Sequence, residues 1–249
     1  MQNSSSIIYL DHTDSTNLEM WRMIDSGQIE KELTVLQAGS QSKGRGLGQT
    51  SWESEPGKNL LFSVFLKPVF LAPGKQFMLS KAITLGIRDS LAASDSKSVY
   101  LIKWPNDIYA GRSKVAGTLI ETRIMGKALQ ACVAGTGVNV NQKIFPGHIP
   151  NPVSLALLTG RRFDVAEVLQ ETLTCITRYY NLLKRGDFEH LDTAYLEHLL
   201  GYNKTMTYKT GDRQFEAMIT GVTQNGKLRL CDNRGETREY VMKEVALVV

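Results

Sequence analysis

The sequence predicts an α+β fold: a mixed central β-sheet flanked by helices, followed by a small β-barrel from about Gly201. Three observations lead there. Strand-like apolar runs and amphipathic helical stripes are mixed through the first 200 residues. A hairpin rich in polar residues sits near the middle of the chain. The last fifty residues then change to short strand candidates separated by turn residues.

Taken in order, residues 7–10 form a short strand that leads into His12-Thr13-Asp14-Ser15-Thr16-Asn17, a run dense in helix-capping types. Thr16 and Glu19 have capping-box spacing, and Leu18, Trp21 and Ile24 give an apolar stripe that ends at Gly27. Strands follow at residues 33–38 and 60–66, the second almost wholly apolar, and a helix at 77–91 presents Ile83, Ile87 and Leu91 on one face. Residues 100–104 and 114–123 are strand-forming, with Ala110-Gly111-Arg112-Ser113 as the turn between them. Residues 128–134 read as a buried strand running into Gly135-Thr136-Gly137-Val138-Asn139-Val140-Asn141, where two glycines permit close backbone approach or a bulge. After a Pro-rich loop at 145–153, Ser154 caps a short helix, and longer helices span 165–184 and 188–200. The terminal strands are 205–209, 213–222, 227–231 and 237–241, and Asn225-Gly226 is a strong hairpin signal among their turns.

Composition narrows the function. A chain of 249 residues can bury a sizeable core, and its 42% hydrophobic and 22% charged residues suit a soluble protein. The net charge of +4 fits anionic small ligands or an acidic protein partner, and without a dense Lys/Arg run nucleic-acid binding is not expected. No apolar run is long enough to span a membrane, and the first six residues are too short and polar for a signal peptide, so a cytoplasmic protein is expected. Cys132, Cys175 and Cys231 are far apart with no CxxC pair and read as reduced, buried fillers. The four dispersed histidines suggest no metal centre, and no metal ligands are assigned.

Two segments carry chemistry. In Lys103-Trp104-Pro105-Asn106-Asp107, Pro105 fixes a bend, and the hairpin brings Lys103, Asn106, Asp107 and Lys114 to one end of a sheet. Two lysines there favour an anion, and the Asp-Asn pair can hold a phosphate-bound metal or orient a nucleophile; the plainer alternative is a solvated hairpin. In Gln41-Ser42-Lys43-Gly44-Arg45-Gly46-Leu47-Gly48, backbone N–H groups can approach an anion while Arg45 supplies a bidentate donor; the alternative is a mobile connector. It is neither a Walker loop nor a Rossmann turn. Trp52, just beyond, reads as a core aromatic or a stacking face, with core favoured.

Ser15-Thr16-Asn17, Gly44-Arg45-Gly46 leading to Trp52, Lys103-Trp104-Pro105-Asn106-Asp107, Lys114-Val115-Ala116-Gly117 with Glu121, and Gly135 to Asn139 occur in the order and spacing of the biotin protein ligases. The chain resembles that family from about Ile7 to its end. The resemblance implies a catalytic biotin- and ATP-binding domain at 1–200 and an SH3-like barrel at 201–249. It implies ATP-driven formation of biotinyl-5′-AMP with Mg2+, then transfer of biotin to a lysine of a biotin carboxyl carrier protein; a homodimer is left open. By resemblance, Lys114, Arg45 and Asp107 are the catalytic residues. Ser15, Thr16, Asn17, Gln41, Arg45, Gly46, Leu47 and Lys114 bind biotin, and Trp52, Lys103, Asn106, Asp107 and Asn139 serve ATP. Glu121 is expected to support its strand.

Two departures from the family pattern stand out. Leu47 occupies a position where many members carry a second loop arginine, and Gln49 one where glycine is common, so looser retention of the intermediate is expected. Only fourteen residues precede Ser15, too few for a helix-turn-helix, so a ligase without repressor function is expected. The enzymatic alternative is a lipoate ligase or octanoyl transferase of the related fold. A biotin sensor without catalysis is disfavoured by the presence of Lys114.

Overall fold

The computed structural model describes residues 6–48 and 50–248; Gln49 and the serines at 4 and 5 lie outside them. A seven-stranded sheet is built from β1 (Ile7–Leu10), β2 (Val35–Ala38), β3 (Leu60–Leu66), β4 (Tyr100–Lys103), β5 (Asp107–Ala110), β6 (Ser113–Met125) and β7 (Ala128–Val138). Its order is β1-β2-β3-β7-β6-β5-β4. Only β1 and β2 run parallel, so the sheet is mixed, as the sequence predicts.

The two faces are covered differently. Strand alternation sends Leu60, Phe62, Val64 and Leu66 of β3 to one face, where they join a core with α2 (Phe77–Ser94) and α4 (Val165–Lys184). Phe65 points the other way and packs with Ala131 and Val133 against Met20 of α1 (Thr16–Asp25). Because α1 is only ten residues long, it covers only part of that face. A short helix α3 (Leu155–Thr159) is capped by Ser154, whose side chain accepts from the Leu157 N–H, and α5 (Phe188–Glu197) precedes the C-terminal part.

The expected two-stranded hairpin is in fact three strands, since β5 forms between Pro105 and the Gly111 turn. The expected Thr16–Glu19 capping box is not made. Ser15 is the N-cap residue without a side-chain cap bond, and the Thr16 N–H donates to Gln41 Oε1 at 2.7 Å.

The C-terminal part is a five-stranded antiparallel sheet, β11-β10-β9-β8-β12, made of β8 (Thr205–Thr210), β9 (Arg213–Val222), β10 (Leu228–Asp232), β11 (Thr237–Tyr240) and the two-residue β12 (Ala246–Leu247). Its Tyr208, Ile219, Leu228 and Val245 belong to the same hydrophobic cluster as Phe77, Trp104 and Leu199, so the core runs continuously between the sheets. Trp104 Nε1 donates to the Gly226 carbonyl at 3.0 Å, and Tyr195 Oη donates to the Pro105 carbonyl at 3.1 Å. The turn carrying Asn106 is thereby clamped from both sides.

Candidate active site

A cavity of about 600 Å³ opens on the α1 face of the large sheet, beyond the end of α1, and reaches the C-terminal sheet. Every site residue the sequence predicts lines it: Ser15, Thr16, Asn17, Gln41, Arg45, Gly46, Leu47, Trp52, Lys103, Asn106, Asp107, Lys114 and Asn139. Its floor follows from strand register. Gly117 pairs with Gly137 and Leu119 with Gly135, so these residues share a face with Glu121 and with Ser63 of β3. A Cβ at Gly135 would overlap the Asn17 carboxamide, and one at Gly137 would overlap the Trp52 indole. The two glycines thus let side chains of α1 and of the glycine-rich loop lie flat on the sheet. Trp52 is half-buried against Gly137 and outside both hydrophobic clusters, which corrects the expectation of a core tryptophan.

The neutral end is organised by α1. Asn17 is buried, its Oδ1 accepts from Ser63 Oγ at 2.7 Å, and its Nδ2 donates to the Leu119 carbonyl at 3.2 Å and to Glu121 Oε2 at 2.9 Å. The other oxygen of Glu121 pairs with Arg45 Nη2 at 3.0 Å. Glu121 therefore joins α1 to the glycine-rich loop as well as sitting in its strand. The loop itself is a small hairpin: Gly46 N–H donates to the Thr50 carbonyl at 2.7 Å and Trp52 N–H to the Gly44 carbonyl at 2.9 Å.

The cationic end lies on β4, β5 and β6. Lys103 stands opposite Asp107, and Asp107 opposite Gly117. Strict alternation would place Lys114 on the face of Ala116, which belongs to the α2 core. A register shift at Ile108/Tyr109 pairs Tyr109 with Lys114 and re-aims it, so that Lys114 Nζ meets Asp107 Oδ1 at 2.7 Å in the space that Gly117 leaves open. The same ammonium lies 5.6 Å from the centre of the Trp52 ring. Burial holds the Lys103 ammonium below the ordinary lysine range; Asp107 opposes that shift and Lys114 adds to it.

Asn106 and Asn139 have structural duties as well. Asn106 Nδ2 donates to the Thr118 carbonyl, and Asn139 Nδ2 donates to the Val153 carbonyl at 3.2 Å, so each presents chiefly its side-chain oxygen. Among the described residues, only two buried side-chain polar atoms lack a partner, Trp52 Nε1 and Tyr208 Oη, and both residues line this cavity. Unpaired buried donors are costly, and their gathering at one cavity marks it as a place built for a polar ligand.

Among the described residues no three His, Cys, Asp or Glu side chains cluster as metal ligands. Beside the two lysines, the side-chain oxygens that the cavity offers a cation are those of Asp107 and Asn106, and Glu53 is a further lining carboxylate, paired with His148. This suits Mg2+, which commonly binds through one or two carboxylates together with substrate phosphates.

Sequence reasoning missed Thr118 and Thr136, whose hydroxyls lie 3.3 Å apart, and the wall made by Tyr208, Ile219, Leu228, Lys243 and Leu247. Register signals the threonine pair once β6 and β7 are aligned; the C-terminal wall has no local signal.

Residues 9–139 match the model of the biotin/lipoate A/B protein ligase family. The chain is 30% identical to the biotin--[acetyl-CoA-carboxylase] ligase of Paracoccus denitrificans, over 89% of this chain and 92% of that protein. It is 32% identical to the bifunctional ligase/repressor BirA of Escherichia coli, over 98% of this chain and 75% of that one. Its fold superposes on the biotin protein ligase of Aquifex aeolicus, solved in complex with biotin and ATP, with a TM-score of 0.80 and 25% identity over 98% of each chain. With the cavity, the matched segment and these relatives in agreement, the chain belongs to the biotin/lipoate A/B protein ligase family.

Proposed function

We propose that the chain is an ATP-dependent biotin protein ligase that makes biotinyl-5′-AMP and passes the biotinyl group to a lysine of a biotin carboxyl carrier protein. The observation that carries this reading is one cavity with two chemically different ends: neutral hydrogen-bonding groups around α1, and Lys103, Lys114 and Arg45 beside them. Biotin has this polarity, with a neutral ureido ring at one end and a carboxylate at the other, and ATP adds phosphates beside that carboxylate. The likeness to a ligase solved with biotin and ATP supports it.

In the first step a biotin carboxylate oxygen attacks the α-phosphorus of ATP, a new P–O bond forms, and pyrophosphate leaves with the electrons of the broken one. Two anions must meet, so the barrier is largely electrostatic and no enzyme nucleophile is needed. Lys114 is assigned to the carboxylate and the α-phosphate, and ligand phosphates would replace Asp107 as its partner. Arg45, brought in by the loop hairpin, closes over the same charges, and Gly46 and Leu47 cover the biotin chain. Ser15, Thr16 and Gln41 serve the ureido ring, while Asn17, with its amide already committed, shapes the pocket wall.

Trp52 gives the adenine a stacking face and Asn139 bounds it, while Lys103 receives the phosphates. Mg2+ would be held by phosphate oxygens with Asn106 and Asp107, neutralising charge on the leaving group.

In the second step the acceptor amine attacks the anhydride carbonyl, the C–O bond breaks and AMP departs. Asp107 orients the amine and takes its proton. Residues 1–200 form the catalytic unit in this reading, and residues 201–249 an SH3-like barrel that completes the cavity wall. ATP-dependent pyrophosphate release with biotin, set against release with lipoate, tests the assignment. Turnover with lipoate alone would replace it with the lipoate ligase reading.

A further inference from the structure

Four cations line the cavity: Arg45, Lys103, Lys114 and Lys243. Arg45 and Lys114 are ion-paired with Glu121 and Asp107, and Lys103 is half-buried opposite Asp107 on β4. Lys243 is different. It sits in the turn between β11 and β12, is exposed, and has no carboxylate partner among the described residues. Its neighbour Glu244 turns its own carboxylate back to the Val241 N–H at 2.8 Å.

The backbone of Lys243 is left-handed, with φ of 74°, a conformation in which glycine is at ease and lysine is not. The side chain extends from this turn to the glycine-rich loop, where a Cβ on Gly48 would overlap its ammonium. A strained residue that carries a charge to a cavity wall, with no carboxylate partner among the described residues, calls for a functional account.

We propose that Lys243 is a nucleotide-binding residue: from the C-terminal sheet, across Gly48, its ammonium binds the polyphosphate of ATP. This deepens the reading of the site given above and rests on it. The lysine contributes a charge-assisted contact to the phosphates, and in the loop it meets Gly48, not Gln41, Arg45, Gly46 or Leu47, which are the loop residues assigned to biotin.

The test compares Lys243→Gly, Lys243→Met and Lys243→Arg with the parent full-length protein. KM for ATP is expected to rise on the order of tenfold in the glycine and methionine variants. KM for biotin should stay at the parental value, and arginine should restore most of the ATP affinity. Lys243→Gly should also melt above the parent because it removes the strained backbone, giving a more stable protein with poorer ATP binding. An unchanged KM for ATP in the glycine and methionine variants would overturn the proposal. So would a parallel rise in KM for ATP and biotin with a lower Tm, which would mark Lys243 as a brace for the loop alone. Calorimetric binding of inorganic pyrophosphate to the parent and to Lys243→Met reads the proposal without turnover, so failure of biotin ligation in the parent would be distinguishable from failure here.

Discussion

Gly135→Ala places one methyl group where the structure leaves no room. The new Cβ would overlap the Oδ1 and Cγ of Asn17, a residue only 3% exposed and held by Ser63, the Leu119 carbonyl and Glu121. The floor is a strand paired on both sides, with β3 at Ser63 and β6 at Leu119, so it cannot retreat, and the carboxamide must move instead. Moving it breaks the Ser63 bond and weakens the one to the Glu121 carboxylate. A neutral bond contributes about 1 kcal/mol and one to a charged group about 1.5–3, so a loss of about 2–3 kcal/mol is expected. For a chain of this size that lowers Tm by about 4–12 °C. Because Glu121 also holds Arg45, KM for biotin should rise in the same variant. Thermal melts and initial rates at varied biotin measure the two effects. A variant with parental Tm and parental KM for biotin would refute the packing argument.

Four further outcomes follow from the same geometry. Lys114→Ala should lower the rate of biotinyl-5′-AMP formation by about 10²–10³-fold with little change in Tm, since Lys114 is half-buried and its ion pair is accessible to water; single-turnover pyrophosphate release checks it. Gly137→Ala pushes on the Trp52 indole and should raise KM for ATP more than KM for biotin, by steady-state kinetics. Leu47→Arg should slow release of biotinyl-5′-AMP in a trap assay, and equal release rates would remove the idea that the missing loop arginine matters. Lys103 binds phosphate as the ammonium, and its pKa is depressed, so ATP affinity should fall as pH rises at a lower pH than an ordinary lysine would give. Lys103→Met should abolish that limb. The sign for stability is opposite: the folded state holds fewer protons on Lys103 than the unfolded state, so stability gains with pH between the depressed value and 10.5.

The elements that read most clearly from sequence were those whose signals are local. The 165–184 helix matches α4 to the residue, because its apolar stripe lies within the segment and its Asp164 cap immediately precedes it. Strand β5 was missed because its four residues follow a proline and pair only once β4 and β6 are in place. The bulge that turns Lys114 toward Asp107 has no composition of its own; it arises from packing Val115 and Ala116 into the α2 core. The glycines at 135 and 137 were legible as sites of close approach, but sequence could not show that Asn17 and Trp52 are what approaches. The cavity's far wall was illegible for a similar reason: Tyr208, Ile219 and Leu228 are ordinary strand residues until the second sheet packs against the first.

The central claim is ligation of biotin to a carrier lysine by the cavity centred on Lys114. Its most direct test is incorporation of labelled biotin into a purified biotin carboxyl carrier domain, with ATP present or omitted and with Lys114→Ala in parallel. The account predicts one label per acceptor lysine with ATP, none without it, and incorporation reduced to near background in the variant. Label transferred at the parental rate by Lys114→Ala, or an acceptor modified by lipoate and not by biotin, would contradict it.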